Sequence, residues 1–168
     1  NIIAFVGGGG IKKGVGKSQN PLAREREAFK NAGINYYIFP NPKKNKKIEI
    51  SYRKSKDHVE KIKKLIDYLR LKNNLPIILV GHSRGSVSVA AATNSLGLKN
   101  IKGSVIMGSI TETSSAVSSS FTMKTMFKNK PDVPIFVIHH EKDSCVVTSY
   151  VGAKRLADKH NFNLLKIS

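Results

Sequence analysis

The residues Gly81-His82-Ser83-Arg84-Gly85 follow a short apolar run at 77–80 and precede a stretch rich in small side chains. They match G-x-S-x-G, the spacing that sets a serine at the tip of a sharp turn from strand into helix. Such a turn needs glycine two positions either side, because a Cβ there would collide with the neighbouring strand or helix. Ser83 would then project at the C-terminal end of a strand, with the N–H groups of a helix start close by. The chemistry this permits is nucleophilic attack on a carbonyl. It also calls for a base, an acid to orient the base, and donors for the oxyanion. Asp143, just past an apolar run at 135–139, stands where the acid is expected. The oxyanion donors would be the backbone N–H of Arg84 and one from the glycine run after the first strand, at Gly8 or Gly9. Each assignment has a plainer counterpart: a glycine-rich turn with an N-capping serine, a turn or helix-cap aspartate, and a flexible loop.

The base is missing from this pattern. In the chain order Ser, Asp, His the histidine follows the last strand, but the final apolar run at 164–167 reaches the last residue, Ser168. His160 precedes that run at the end of a helix and reads as a surface residue. Of His139 and His140, one must point into the sheet packing, and neither spacing suits reach to Ser83. His58 begins a helix, and His82 lies in the elbow itself, directed away from the Ser83 side chain. None of the five histidines reads as the base. A single cysteine, Cys145, provides neither an internal disulfide nor a multi-thiolate metal site, and no metal or other cofactor is expected.

The elements that would hold these residues alternate in type. Strand-like runs stand at 2–6, 34–39, 77–80, 104–107, 135–139 and 164–167. Between them, helical spacing marks 20–32, closed by Gly33, then 57–71 with Val59, Ile62, Leu65, Ile66 and Leu69 on one stripe, 85–96, and 149–160. Strand and helix alternation argues for an α/β fold: a doubly wound, mainly parallel sheet of about six strands, ordered second, first, third, fourth, fifth, sixth. The Ser- and Thr-rich stretch 109–125 reads as a mobile loop or a reduced lid. Asn1 begins almost directly on a strand, so the chain looks like a fragment at its N-terminus.

The elbow, the glycine loop and the acid loop together resemble the alpha/beta-hydrolase superfamily. More narrowly, Val80-Gly81-His82-Ser83-Arg84-Gly85-Ser86 and His139-His140-Glu141-Lys142-Asp143-Ser144-Cys145 resemble small bacterial hydrolases with S-R-G at the elbow and H-H-x-x-D-x-C in the acid loop. The similarity covers most of the chain, including 20–42. It implies a Ser83 nucleophile, an Asp143 acid, and a histidine in an H-G-type motif beyond the last strand. It also implies a cysteine there, suited to pairing with Cys145. On this reading residues 1–168 are one hydrolase-like domain, truncated at both ends and lacking the family's N-terminal antiparallel strands. The expected activity is esterase-type hydrolysis of a small-molecule substrate, in the bacterial cytoplasm or periplasm.

Two rival classes remain. Lys12-Lys13-Gly14-Val15-Gly16-Lys17-Ser18 resembles a P-loop with a leading lysine, in which Lys17 and Ser18 would serve a nucleotide. Against it, G-x-x-x-x-G-K-S needs glycine at position 11, where Ile11 stands, and no later strand ends in the aspartate that would hold magnesium. The other rival is a non-catalytic binding domain on the hydrolase fold. Composition bounds all three. A chain of 168 residues with 40% hydrophobic and 24% charged residues suits one globular core, and its apolar runs are far too short to span a membrane, so a soluble protein is expected. The net charge of +18 invites a nucleic-acid reading, but only six of the 29 basic residues are arginine and no aromatics interleave with them. The lysines read as solvated surface, with a weak hint of acidic substrates.

Overall fold

The computed structural model describes residues 1–168. Six strands, β1 (Ile2–Phe5), β2 (Tyr36–Ile38), β3 (Ile78–His82), β4 (Gly103–Met107), β5 (Ile135–His140) and β6 (Asn163–Ile167), form one open sheet in the order β2-β1-β3-β4-β5-β6. All five pairings are parallel. Order and direction are those expected from the alternation of apolar runs and helical stripes. Parallel pairing forces every connection to cross over a face of the sheet. Along β1 the side chains accordingly alternate, with Ile3 and Phe5 entering the larger core and Ala4 entering a smaller one on the opposite face.

The helices are α1 (Pro21–Arg24), α2 (Arg26–Asn31), α3 (Lys56–Asn73), α4 (Gly85–Asn100), α5 (Met123–Met126) and α6 (Tyr150–His160). In α3, Ser55 caps the first turn by accepting from the His58 N–H, and Asn74 ends the helix in the left-handed conformation. Val59, Ile62, Ile66 and Leu69 are its buried stripe. Helix α4 can lie close to β3 because residues 86–93 are small or β-branched and all buried. Its hydroxyls are satisfied in place: Ser86 Oγ donates to the Ser83 carbonyl at 2.6 Å, and Thr93 Oγ1 pairs with Ser104 Oγ at 2.8 Å. Leu22 and Ala23 of α1 cover the opposite face with Val6 and Val80. No helix is long and apolar enough to cross a membrane.

Three expectations need correction. The single helix over 20–32 is two short ones that meet at Glu25. Residues 109–125 are anchored rather than loose: Ile110, Val117 and Met123 are buried, and the Met123 N–H donates to the Ile110 carbonyl at 2.8 Å. Apolar residues spaced among the serines and threonines hold that segment down. His160 is also not a surface residue. It is only 5% exposed and stacks on Phe162, with ring centroids 5.1 Å apart, because the end of α6 turns this face toward the core.

Candidate active site

Strand β3 runs two residues further than its apolar stretch and ends in the elbow, so that Gly81 lies in register with Phe5 of β1 and Ile106 of β4. The backbone then turns sharply at Ser83, whose φ is +51°, a left-handed value that non-glycine residues rarely adopt. The turn is held from both sides. The Ser83 N–H donates to the Met107 carbonyl at 2.9 Å, and the Ser83 carbonyl accepts from the Ser86 N–H and hydroxyl. A Cβ on Gly81 would stand 2.6 Å from the Gly85 carbonyl oxygen, and one on Gly85 would overlap the Phe5 carbonyl. Strand and helix thus touch at these two glycines, which is the close approach the G-x-S-x-G spacing predicted.

The glycine loop after β1 backs directly onto the elbow. A Cβ on Gly7 would lie 3.0 Å from Ser83 Cβ. Gly7 to Gly10 form a turn closed by Gly10 N–H to the Gly7 carbonyl at 3.0 Å, with Gly8 at φ +54°. Three of its four carbonyls are engaged: Gly7 O in that turn, Gly9 O by the Ile48 N–H and Asn41 Nδ2, and Gly8 O by Arg53. The N–H groups of Gly8, Gly9 and Arg84 donate to no backbone acceptor. The loop therefore fixes its acceptors inward and keeps these donors free, as an anion-binding turn does.

Arg53 is the residue that sequence reasoning missed. It sits in a Tyr-Arg-Lys turn that looks like one more basic surface stretch, yet it is only 2% exposed. Its guanidinium donates to the Val6 and Gly8 carbonyls at 3.0 and 3.2 Å and to Ser88 Oγ at 3.3 Å, and its Nε has no partner. No carboxylate compensates it. Burial, with the nearby Arg84 charge, pushes its pKa down to about 10, so at neutral pH it remains a cation beneath the glycine loop.

Ser88 Oγ also meets His58 Nε2 at 2.9 Å, and the aromatic rings of Phe5, Phe39 and Tyr52 surround that imidazole. Burial, and then the Arg53 charge, push His58 down to about 4 from its ordinary 6.5. A folded-state value below the unfolded one means that stability is complete above about pH 6.5 and is lost as pH falls through 4, by up to roughly 3 kcal/mol. The melting temperature is therefore expected to drop between pH 6.5 and 4. In His58→Gln, followed by circular dichroism over the same range, the drop should be visibly shallower. An unchanged pH slope would remove His58 as its cause.

The acid loop begins where β5 ends. Asp143 Oδ1 accepts the Cys145 N–H at 3.0 Å, while Oδ2 accepts the Thr148 hydroxyl at 2.8 Å and lies 3.3 Å from Nε2 of the fully buried His139. This contact with His139 also went unforeseen, although the inward position of one of the two histidines was expected. Ser83 and Asp143 leave the sheet at the same edge, the C-terminal ends of β3 and β5, with β4 between them. Gly108, just past β4, faces both sides: a Cβ there would be 3.6 Å from His82 Nε2 and 4.0 Å from Asp143 Oδ2.

The five imidazoles are engaged elsewhere. His82 Nδ1 accepts from Asn20 Nδ2 at 3.1 Å, and burial lowers its pKa against the pull of Asp143. His140 Nδ1 accepts the Lys142 N–H, His139 faces Asp143 and the Thr148 carbonyl, and His58 and His160 are core residues as described. The P-loop alternative fails on geometry. Residues 15–17 form a single 3₁₀ turn, Ser18 is extended, and the next helix is four residues starting at Pro21, so Lys17 does not open a helix as that motif requires.

No protein-family model matches the chain. Over 118 residues it is 30% identical to a Mycoplasma pneumoniae protein named "Putative esterase/lipase 2", a match covering 70% of this chain and 42% of that one. The chain thus spans about two fifths of the length of this curated relative. Among solved structures, the monoacylglycerol lipase of Paleococcus ferrophilus superposes with a TM-score of 0.64 at 14% identity, over 99% of this chain and 83% of that one. A soluble variant of the Saccharomyces cerevisiae monoglyceride lipase gives 0.67 at 12% identity, over 98% and 76%. A Lactococcus lactis sugar hydrolase gives 0.65 at 19%, over 98% and 71%. Sheet order, strand-to-helix elbow and these superpositions agree with the resemblance drawn from the motifs, and this chain has the alpha/beta-hydrolase fold of that superfamily.

Proposed function

We propose that the protein is an esterase-type serine hydrolase acting on a small-molecule substrate. Ser83 is the nucleophile, Asp143 is the acid, and the N–H groups of Arg84 and of Gly8 or Gly9 bind the oxyanion. The observation that carries this reading is the left-handed Ser83 held between two glycines beside a loop with unused N–H donors. Backbone strain at a non-glycine residue persists only where the surroundings over-determine it, and it clusters at reacting groups.

The base is a histidine following β6. The last strand runs parallel to β5, with Ile167 opposite His140 and its carbonyl accepting the Glu141 N–H, so the chain leaves β6 alongside the acid loop. An imidazole there accepts the Ser83 proton as Oγ attacks the ester carbonyl. It returns that proton to the leaving alcohol, and the acyl-enzyme is then hydrolysed by water that the same base deprotonates. Asp143 holds the imidazole's other nitrogen. Oxyanion charge develops against the free N–H groups, with the buried Arg53 cation behind the glycine loop.

A fluorophosphonate probe tests the nucleophile. The encoded protein, including whatever follows Ser168, should be labelled at Ser83, as located by peptide mass spectrometry, and Ser83→Ala should take no label. A folded protein that resists labelling would favour the non-catalytic reading of this fold.

A further inference from the structure

A basin of about 560 Å³ opens beside the elbow, and its composition is one-sided. Its walls are the glycines of the loop at 7–10, Lys12, Lys13, Lys17, Ser18, Asn20 and His82, with no carboxylate and no hydrophobic side chain among them. Lys30, Lys47, Lys61, Lys63, Lys154 and Lys166 each pair with an acidic residue on other parts of the surface. The three basin lysines belong to no such pair, and they are exposed. Two further observations point the same way. Of Gly8 and Gly9, the N–H not turned to the oxyanion is left free, and Arg53 adds a buried cation directly behind Gly8. The basin beside Ser83 therefore carries positive charge with no acidic residue in its lining, which raises the local concentration of an anion.

The absence of hydrophobic side chains matters as much as the charge. An acyl chain is buried most favourably against hydrophobic side chains, and none lines this basin. We propose that the basin binds a phosphate-bearing part of the ester substrate, so that the preferred substrates are esters of phosphorylated alcohols. This proposal rests on the serine hydrolase reading above. The ammonium groups hold the phosphate oxygens as mobile point charges, and Ser18 and Asn20 supply hydrogen bonds. An ester carbonyl a few bonds away then reaches Ser83, because Gly7 joins the basin wall to the elbow, with its Cβ position 3.0 Å from Ser83 Cβ. The lysine-rich loop that resembled a nucleotide motif thus has a use in the hydrolase, as the recognition element for an anionic head.

Two measurements on the encoded protein test this independently of each other. Inorganic pyrophosphate, titrated by calorimetry, should bind, and the triple variant Lys12→Gln, Lys13→Gln, Lys17→Gln should bind at least about tenfold more weakly while keeping its melting temperature. Equal binding by both proteins, or none by either, overturns the proposal whatever the kinetics show. The kinetic arm compares butyrylglycerol with butyrylglycerol 3-phosphate, which share the scissile ester. The phosphorylated form should have at least about a tenfold higher kcat/KM, mostly through KM, and the triple variant should lose that preference. No preference in an active enzyme also overturns the proposal. A palmitoyl pair run alongside separates a soluble phosphate ester from a lipid headgroup: preference confined to the butyryl pair assigns the former, and preference in both pairs admits the latter. If neither ester is hydrolysed, the hydrolase reading fails, and pyrophosphate binding still decides what the basin recognises.

Discussion

Ser83→Gly is expected to abolish ester hydrolysis and at the same time to make the protein more stable. Loss of the proposed nucleophile should lower kcat by about 10⁴-fold or more, since what remains is the contribution of binding and the proposed oxyanion donors alone. The stability change comes from the backbone. At φ +51° an L-residue carries a cost of about 1 kcal/mol that glycine does not. Relief of that cost, partly offset by the greater freedom of glycine in the unfolded chain, corresponds to a rise of a few degrees at most, roughly 2 °C, in the melting temperature of a chain this size. Ser83→Ala is the matched control, because it removes the hydroxyl and keeps the Cβ and its strain. Retained turnover in either variant would sink the assignment of Ser83. A fall in melting temperature in the glycine variant would show that the conformation is not strained.

Gly85→Ala should be the most damaging single methyl group in the molecule. The added Cβ would overlap the Phe5 carbonyl oxygen, lie 2.7 Å from Phe5 C, and stand 3.2 Å from the Val6 carbonyl oxygen. All three are backbone atoms of β1 and its exit, which is an interior strand and cannot swing aside as a flexible side chain would. Helix α4 must lift off the sheet, taking the elbow with it. A destabilisation of about 3 kcal/mol or more is expected, at the upper end of what overpacking costs. Gly16→Ala is the comparison, since its Cβ would meet nothing within 4 Å and should cost under about 0.5 kcal/mol. Urea unfolding of both variants measures the difference, and equal midpoints would contradict the close packing at Gly85.

The sequence exposes this architecture where one residue type does one job. The run Ile77 to Val80 suits a strand covered on both faces, and glycines at 81 and 85 around Ser83 favour a tight turn into the helix. Sheet order followed, because parallel crossovers permit few alternatives. What stayed hidden depends on contacts between distant residues. Arg53 is separated by 47 residues from the Val6 carbonyl it binds, and nothing in its neighbours distinguishes it from the exposed lysines around it. Pairing of His139 with Asp143 required knowing that the acid loop folds back over the end of its own strand. The anchoring of 109–125 rests on three buried apolar residues diluted among hydroxyls, a pattern with no period to read.

The position of β1 sets an order on the folding of this chain as it leaves the ribosome. Its residues are made before those of either neighbour, yet they belong between β2 and β3, and the backbone nitrogen of Asn1 donates to the Pro76 carbonyl, 75 residues later. At about 5–20 residues per second, β1 waits roughly 4–15 s for the strand that completes its pairing. Until then it has only the three-residue β2 beside it, and so short a two-stranded pair is marginal in water. The glycine loop and the serine turn that press on each other in the finished protein therefore spend the early part of synthesis apart. Their meeting closes a long loop, and slow, non-local closure of this kind is the step at which nascent apolar strands most need protection from one another.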